Sequence, residues 1–407
     1  MSVGGMSSQT FERRKVRAWI AVCAGVMLGP ASGGQLVLLT KPLGGALGVP
    51  GAVIGFVALA GLIFGCLTVP LCLWLLRRYS ASALAAAFAV VAGSATIVAG
   101  LLPGIWVFTV GVLLAGACAG PLLIIGRALV ANVDSRTLSG WHAVMITGVA
   151  MAAVLAVVYD GAPGTGLIIT GSLGAVVAPL SIRRRAAPQF TGRLRDWWSL
   201  RQEPLGYSAP LAITADRPRL RHSSLLLGYA AIGLAIGGTT LPALHLLLFR
   251  WNALGTEQAT WLLLAAIPAV FAVALPGRID AVVPLLILAA GGPLLVGTAP
   301  GALPLATGMA VTLTAACRAA ALLDTTVFAG VGLADRAVVC VVTAAVAVAG
   351  ALVGLGMVDL LGRFIGTGSA LALLALAILA VAFRCGRHAT VPAHRQSIPG
   401  LAPEGGA

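Results

Sequence analysis

The sequence predicts an all-α integral membrane protein in which twelve transmembrane helices form two six-helix, pseudo-symmetric lobes. The chain of 407 residues is 59% hydrophobic and only 9% charged, whereas soluble proteins carry about a quarter charged residues. Its apolar runs approach the roughly 20 residues that cross a bilayer as a helix. One long polar stretch, residues 183–222, has six such runs before it and six after it.

The first apolar run starts at residue 18, behind a basic tail that contains Arg13 and Arg14. It continues to residue 40 without a short apolar core and small-residue cleavage site, so we predict an uncleaved first span. The spans must be helices, because lipid offers no partner to a free backbone amide. The twelve predicted spans are 18–40, 53–76, 83–102, 106–131, 138–158, 166–182, 224–249, 260–275, 282–297, 305–331, 337–358 and 364–383.

These spans divide the chain into five segments. A polar N-terminal tail (1–17) precedes the first lobe (18–182), and the basic connector (183–222) leads to the second lobe (223–384). The last segment (385–407) is rich in proline, glycine and alanine, so we expect it to be disordered.

The basic residues predict the orientation of the chain. Of the 26 lysines and arginines, 21 lie in the two tails, the connector and the loops on their side of the membrane, and three lie on the opposite side. Because basic loops stay in the cytoplasm, both termini and the connector are expected there. The low lysine content beside abundant Ala, Gly, Val and Arg is typical of a GC-rich bacterial genome, which predicts a bacterial cytoplasmic membrane.

Composition also limits the partners. The net charge of +14 does not indicate nucleic-acid binding, because the cations lie in short connectors rather than on a soluble surface. Basic residues around Trp197 and Trp198 suit contact with an anionic lipid leaflet. The seven cysteines form no CxxC pair, and no nucleotide-binding motif or metal-ligand cluster appears, so we expect no cofactor and no metal. We also expect the protein to be a monomer.

The two halves resemble each other at matching connectors. Arg78 and Arg278 are 200 residues apart, as are Arg136 and Arg336. Parallel repeats of this kind occur in one large class of transporters.

With these residues the chain resembles the major facilitator superfamily. Its second–third loop usually reads G-x-x-x-D-R/K-x-G-R/K; residues 76–81 keep only the basic pair, whereas 275–280 keep Gly277, Arg278 and Asp280. Asp134, Arg136 and Gly140 match the fourth–fifth connector, but the family's arginine early in helix four is missing from 106–116. The resemblance implies a central cavity lined by helices one, four, seven and ten. It also implies a cytoplasmic gate, for which the candidates are Arg78, Arg127, Asp134, Arg136, Arg278, Asp280 and Arg336.

Three polar residues on those helices are candidates for binding a cargo: Gln35, His245 and Arg318. Ionisable groups in lipid cost at least about 2.5–3.5 kcal/mol each, so they face water or a partner. Arg318, expected near the middle of its span, would favour an anionic or zwitterionic cargo. Gln35 could instead bond a neighbouring helix, and His245 could be interfacial.

Two further residues have roles other than cargo binding. Arg127 lies close to the inner end of its span, which favours a gate or a snorkelling side chain. Asp324 is the candidate for coupling to protons, or it lies at the cytoplasmic helix end.

These features predict a transporter that moves a small molecule by alternating access, either facilitative or secondary-active. The absence of a Walker motif excludes ATP-driven transport by this chain itself. The alternative is a membrane-embedded enzyme or subunit that handles lipid-linked substrates. The acidic residues are scattered over both sides, whereas such an enzyme would gather them at one membrane face.

Overall fold

The computed structural model describes residues 8–76, 78–79, 81–130, 135–180, 223–253, 255–275, 281–328, 331 and 335–389. These residues form fourteen α-helices and no strand. The N-terminal half contains α1 (Ser8–Leu38), α2 (Thr40–Leu47), α3 (Gly51–Leu67), α4 (Val69–Leu75), α5 (Ala81–Gly100), α6 (Ile105–Val130), α7 (Ser135–Val158) and α8 (Pro163–Leu180). The C-terminal half contains α9 (Ser223–Trp251), α10 (Thr256–Ala274), α11 (Val282–Gly297), α12 (Ala302–Phe328), α13 (Arg336–Ile365) and α14 (Thr367–Ala389).

The helices have the length and composition of membrane spans. Within the described residues, nine are long and apolar enough to cross a bilayer, one of them formed by α3 and α4 together. The bent pair α1 and α2 adds a tenth, and α8 and α11 contain the shorter apolar helices Pro163–Val177 and Val282–Gly297. A helix coincides with each of the twelve predicted spans, which is consistent with the expected number.

Several helices extend beyond the predicted boundaries. The first helix begins at Ser8, inside the predicted tail, since Glu12, Arg13 and Lys15 are good helix formers. The helix α13 continues through Asp359 to Ile365, where Arg363 Nη2 donates to Asp359 Oδ2 at 2.7 Å across one helical turn. The last helix reaches Ala389, five residues into the predicted tail; the connector 183–222 and residues 390–407 lie outside the described residues.

A sharp bend separates α1 from α2, which the sequence did not predict. The two helices meet at 75°. The short helix α2 ends at Gly48, whose φ of +67° is left-handed and whose N–H donates to the carbonyl of Gly45. Residues predicted to be a loop therefore form a bent continuation of the first span.

Packing inside the two halves follows the same scheme. In the N-terminal half α1 packs on α7, α3 on α6 and α5 on α8, and in the C-terminal half α9 packs on α13, α10 on α12 and α11 on α14. These are equivalent pairs when each half is counted as six spans. The predicted division into two lobes agrees with this repetition, although the boundaries of the lobes remain a prediction.

Glycines bring the backbones of the paired helices together. A Cβ atom added to Gly233 on α9 would lie 1.8 Å from the carbonyl oxygen of Ala347 on α13, and one added to Gly120 on α6 would lie 2.1 Å from that of Gly65 on α3. Lipid chains are as apolar as leucine, so close packing of small residues drives helix association in membranes.

The two halves meet along one side and at one end. The helix α7 packs on α10 and α12, and α4 and α6 both touch α13. The end of the molecule that contains Val130, Phe328 and Arg336 is called the cluster end below. The contacts of α4 and α6 with α13 join the halves at this end.

We expect Gly233→Ala to lower the melting temperature of the detergent-solubilised protein. The added methyl group would force α9 and α13 apart, and overpacking costs about 1–3 kcal/mol. The matched control is Gly291→Ala on α11, where the added Cβ would meet nothing within 4 Å. Because alanine is about 1 kcal/mol better than glycine inside a helix, the control should keep or raise the melting temperature. Equal effects of both substitutions would contradict the close-contact interpretation.

Candidate functional site

Five polar side chains from five helices meet at the cluster end. Arg127 on α6 and His142 on α7 come from the N-terminal half, and Tyr229 on α9, Asp324 on α12 and Thr343 on α13 come from the C-terminal half. We call these five residues the ionic cluster. It joins the two halves of the chain through side chains rather than through the backbone.

The centre of the cluster is a buried ion pair. The guanidinium of Arg127 binds both carboxylate oxygens of Asp324: Nε donates to Oδ2 at 3.2 Å and Nη2 donates to Oδ1. Arg127 is 8% exposed and Asp324 is fully buried. This fork-to-fork arrangement fixes the direction of the contact as well as its strength.

Tyr229 and Thr343 form further hydrogen bonds with the two charged groups. The Tyr229 hydroxyl donates to Asp324 Oδ1, and Arg127 Nη2 is 3.3 Å from the same hydroxyl oxygen. Arg127 Nη1 donates to Thr343 Oγ1 at 2.8 Å. The guanidinium also lies over the rings of Tyr229 and Phe328, at 5.4 and 5.7 Å from their centroids. Burial of charge is tolerated only when such partners are present.

His142 contacts the other side of the carboxylate. Its Nε2 lies 3.0 Å from Asp324 Oδ2, and its side chain is 14% exposed. Asp324 is therefore shared by two potential cations, both from the N-terminal half. Trp141, the preceding residue, packs between α6 and α1, where a Cβ on Gly126 would meet both its ring and Val26.

Apolar side chains from both halves surround the cluster. They exclude water from the ion pair and so strengthen its attraction. The buried residues of this apolar shell include Val26, Ile124, Ala128, Trp141, Ile232, Ala319, Ala320, Leu323, Val327, Phe328 and Cys340. The cluster and its shell together form a seal between the halves.

Arg127 and Asp324 lie at similar distances along corresponding helices. Each lies 22 positions after the first residue of its helix, Ile105 for Arg127 and Ala302 for Asp324. The helices α6 and α12 are the fourth spans of their halves. The ion pair therefore joins corresponding helices of the two halves through their side chains, with a cation on one and an anion on the other.

Gln35 lies between helices of the N-terminal half. Its Nε2 donates to Thr170 Oγ1 on α8 at 2.7 Å and to the Ala31 carbonyl at 3.2 Å, and its side chain is fully buried. Its Oε1 has no hydrogen-bond partner among the described residues and points at Gly166, where an added Cβ would lie 2.5 Å away. The structure thus places Gln35 in a contact between α1 and α8, and its cargo role remains a prediction.

Arg318 reaches the end of a neighbouring helix. Its Nη2 donates to the carbonyl of Leu275 at 2.8 Å, and Leu275 is the residue that follows the last turn of α10. Orphan carbonyls at helix ends need such donors. The side chain therefore extends toward the terminus of α10, rather than ending at the middle of α12.

His245 lies apart from both arginines. It is exposed on α9, and its ring centroid is 4.3 Å from that of Phe249. No described contact joins Gln35, His245 and Arg318, so the structure does not assemble the three candidates into one site.

The other gate candidates lie outside the ionic cluster or outside the described residues. Arg78 lies over the Trp74 ring at 4.3 Å, and Arg336 Nε donates to the Val331 carbonyl at 3.3 Å. Arg136 belongs to α7, but its side chain is not described. Three candidates lie outside the described residues: Asp134, Arg278 and Asp280.

Sequence reasoning named Arg127 and Asp324 separately and did not pair them. The predicted spans place Arg127 21 positions and Asp324 19 positions after their first residues, and the 200-residue offset between the connectors matches Arg127 with Val327, so the sequence contains no direct signal for the pair. Tyr229 and Thr343 were missed, since a tyrosine and a threonine in apolar spans have no distinctive pattern. In the described part of the chain, no group of three or more His, Cys, Asp and Glu residues is arranged to hold a metal ion.

Solved structures share this architecture, although their sequences have low identity to this chain. No protein-family model and no curated protein matches the chain. The human organic anion transporter MFSD10 (TETRAN) is 16% identical, with a TM-score of 0.64 over 91% of this chain and 99% of that one. The proton:xylose symporter XylE, solved with 6-bromo-6-deoxy-D-glucose, is 13% identical, with a TM-score of 0.65 over 93% of this chain and 96% of that one.

These similarities establish the fold. The chain is a multi-pass membrane protein with the fold of the major facilitator superfamily transporters. The fold predicted from the sequence is therefore confirmed. At such low identities the likeness carries no information on cargo.

We expect Asp324→Asn to destabilise the protein strongly, because it leaves Arg127 buried without a counter-ion. Removing one partner of a buried pair costs about 3–5 kcal/mol. The apparent melting temperature of the purified variant should fall well below that of the control Arg318→Gln, whose hydrogen bond is exposed. The double variant Arg127→Gln/Asp324→Asn should recover part of the loss. Additive losses in the double variant would show that the two side chains act independently.

Proposed function

We propose that this protein is a transporter that moves a small molecule across the membrane by alternating access, with the ionic cluster as its gate. The observation that carries the proposal is the Arg127–Asp324 pair. It is contributed by the fourth spans of the two halves and is buried between them at the cluster end. A transporter of this fold must close and open each end in turn, and a contact between the halves at one end is the element that changes.

The chemistry of the pair suits a reversible gate. In the closed state the two charged groups lose their hydration. In exchange they contact each other and form hydrogen bonds with Tyr229 and Thr343. In the open state water replaces these partners. Because desolvation and attraction nearly balance in buried ion pairs, neither state is favoured by a large margin. An apolar contact of the same area would hold the halves together without an open state in which water replaces the lost partners.

The cluster end is proposed to face the cytoplasm. It contains the starts of α7 and α13, where Arg136 and Arg336 lie, and the start of α9, which follows the arginine-rich connector. The conformation would then be closed toward the cytoplasm. A bacterial cytoplasmic membrane remains part of this proposal.

The cargo is proposed to be a small molecule. One of the two solved neighbours is an organic anion transporter and the other is a proton:xylose symporter, so proteins of this fold differ in cargo. Both intramembrane arginines, Arg127 and Arg318, have partners within the protein. Arg318 therefore gives no support to an anionic cargo, and His245 is the candidate contact on the exposed face of α9.

A charge exchange tests the gate. In sealed proteoliposomes screened with a panel of radiolabelled metabolites, Arg127→Asp should reduce uptake at least tenfold, because two carboxylates would then face each other. The double variant Arg127→Asp/Asp324→Arg should recover part of the uptake, since it restores a pair of opposite charges at this contact. Failure of every panel member to enter faster than in protein-free vesicles would count against transport itself. A double variant no better than the single one would count against the gate.

Labelling tests the orientation. With both termini and the connector in the cytoplasm, a cysteine at Ser199 should be protected from an impermeant maleimide in intact cells. A cysteine at Thr256, the first residue of α10, should react. Permeabilised cells supply the control, because both positions should then be labelled. The reverse pattern in intact cells would overturn the orientation.

A further inference from the structure

We infer that Trp141 and Gly126 are positioning residues of the gate. Their contact holds Arg127 and His142 at the spacing that both side chains need to reach Asp324. The inference rests on the proposed function, because it concerns the gate that the ionic cluster forms.

Arg127 and His142 belong to two helices that touch each other little. The described parts of α6 and α7 share few contacts, whereas α1 packs on both helices. A Cβ atom added to Gly29 on α1 would lie 3.3 Å from the Cβ of Ala119 on α6. One added to Gly148 on α7 would lie 3.0 Å from the Cβ of Pro30 on α1. The helix α1 therefore supports both α6 and α7, which depend little on each other.

Trp141 makes a direct contact between α7 and α6 at the cluster end. A Cβ atom added to Gly126 on α6 would lie 2.8 and 2.9 Å from Cζ3 and Cη2 of the Trp141 ring, and 2.6 Å from Cγ2 of Val26 on α1. Trp141 is 3% exposed and Val26 is 1% exposed. A side chain larger than that of glycine would therefore displace the ring. We call these three residues, one from each helix, the indole contact.

The two donors of the gate directly follow the indole contact in the sequence. Arg127 is the residue after Gly126, and His142 is the residue after Trp141. A displacement of α6 from α7 at the indole contact therefore moves both donors. Arg127 binds both carboxylate oxygens of Asp324, and Nε2 of His142 lies 3.0 Å from Oδ2. Constellations of this kind need their groups to be held within about 0.5 Å.

The sign of the effect follows from which state uses this spacing. All three residues of the indole contact belong to the N-terminal half, so the proposed motion of the halves does not separate them. In the closed state the two donors must reach one carboxylate of the other half, whereas in the open state they face water. A change that disturbs their spacing therefore destabilises the closed state more than the open one. Donors that are already in place also reduce the cost of ordering them at each closure.

Distances between spin labels measure the closed fraction without knowledge of the cargo. The labels are placed at Leu71→Cys on α4 and Thr326→Cys on α12, two exposed positions at the cluster end, with the native cysteines replaced by alanine. Double electron–electron resonance gives the ratio of short to long distances. We expect Gly126→Ala to lower this ratio about tenfold, because its methyl group displaces the indole and the donors lose their preorganised spacing.

Trp141→Phe supplies the complementary change. Phenylalanine lacks the outer edge of the indole, which carries Cζ3 and Cη2, so this variant should also loosen the contact and lower the ratio. In Gly126→Ala/Trp141→Phe the new methyl group occupies the space of the lost edge. The double variant should therefore have a higher ratio than either single variant. Should Gly126→Ala fail to fold, the comparison of the double variant with Trp141→Phe decides instead.

Gly174→Ala is the matched control for a general packing defect in the N-terminal half. Gly174 lies on α8, and its added Cβ would lie 2.2 Å from the Leu28 side chain of α1. Leu28 follows Val26 by two positions, about 200° around the helix, so this contact lies on another side of α1. The substitution should lower the melting temperature, as Gly126→Ala does, but leave the ratio of distances unchanged.

The outcomes separate this inference from the proposed function. An unchanged ratio in Gly126→Ala would overturn the inference, and so would an equal loss in Gly174→Ala. A double variant whose ratio is no higher than those of the single variants would overturn it as well; the gate would stand in all three cases. One fixed distance in every sample, including Arg127→Gln/Asp324→Asn, would instead overturn the gate itself.

Discussion

The contact on which the closed end of this molecule depends is the buried pair of Arg127 and Asp324. Two charges can leave water only if each finds the other and their remaining donors and acceptors are occupied. Tyr229 and Thr343 meet that requirement from two further helices of the C-terminal half. The requirement therefore places four helices in register at one end.

The repetition of the two halves explains where this contact lies. Paired helices recur in the same order on both sides of the connector, and glycines such as Gly120 and Gly233 allow their backbones to touch. Side chains of α6 and α12, the fourth spans of the two halves, then meet between the halves. One span contributes an arginine and the other an aspartate. Two identical charges there would repel, so an attractive contact needs this difference.

His142 adds a second contact between the halves at the same end. It approaches Asp324 Oδ2 from the N-terminal half, beside Arg127. The carboxylate of the C-terminal half is therefore held by two side chains of the other half. Among the described residues, the opposite end has no comparable cluster. There the side chains of Leu241, His245 and Phe249 on α9 are exposed.

The sequence by itself determined the membrane class, the approximate limits of the apolar helices, and the fold. Each of these depends on local apolar length or on loop charge, which a single chain displays directly. Only the tertiary structure decided the partners of the polar residues inside the spans. Gln35 and Arg318 each have a choice of neighbours that depends on how helices rotate, and the structure gives them Thr170 and the end of α10. Arg127 and Asp324 are almost two hundred positions apart. Their pairing exists only because the two halves, each with its own packed helices, close against each other at one end.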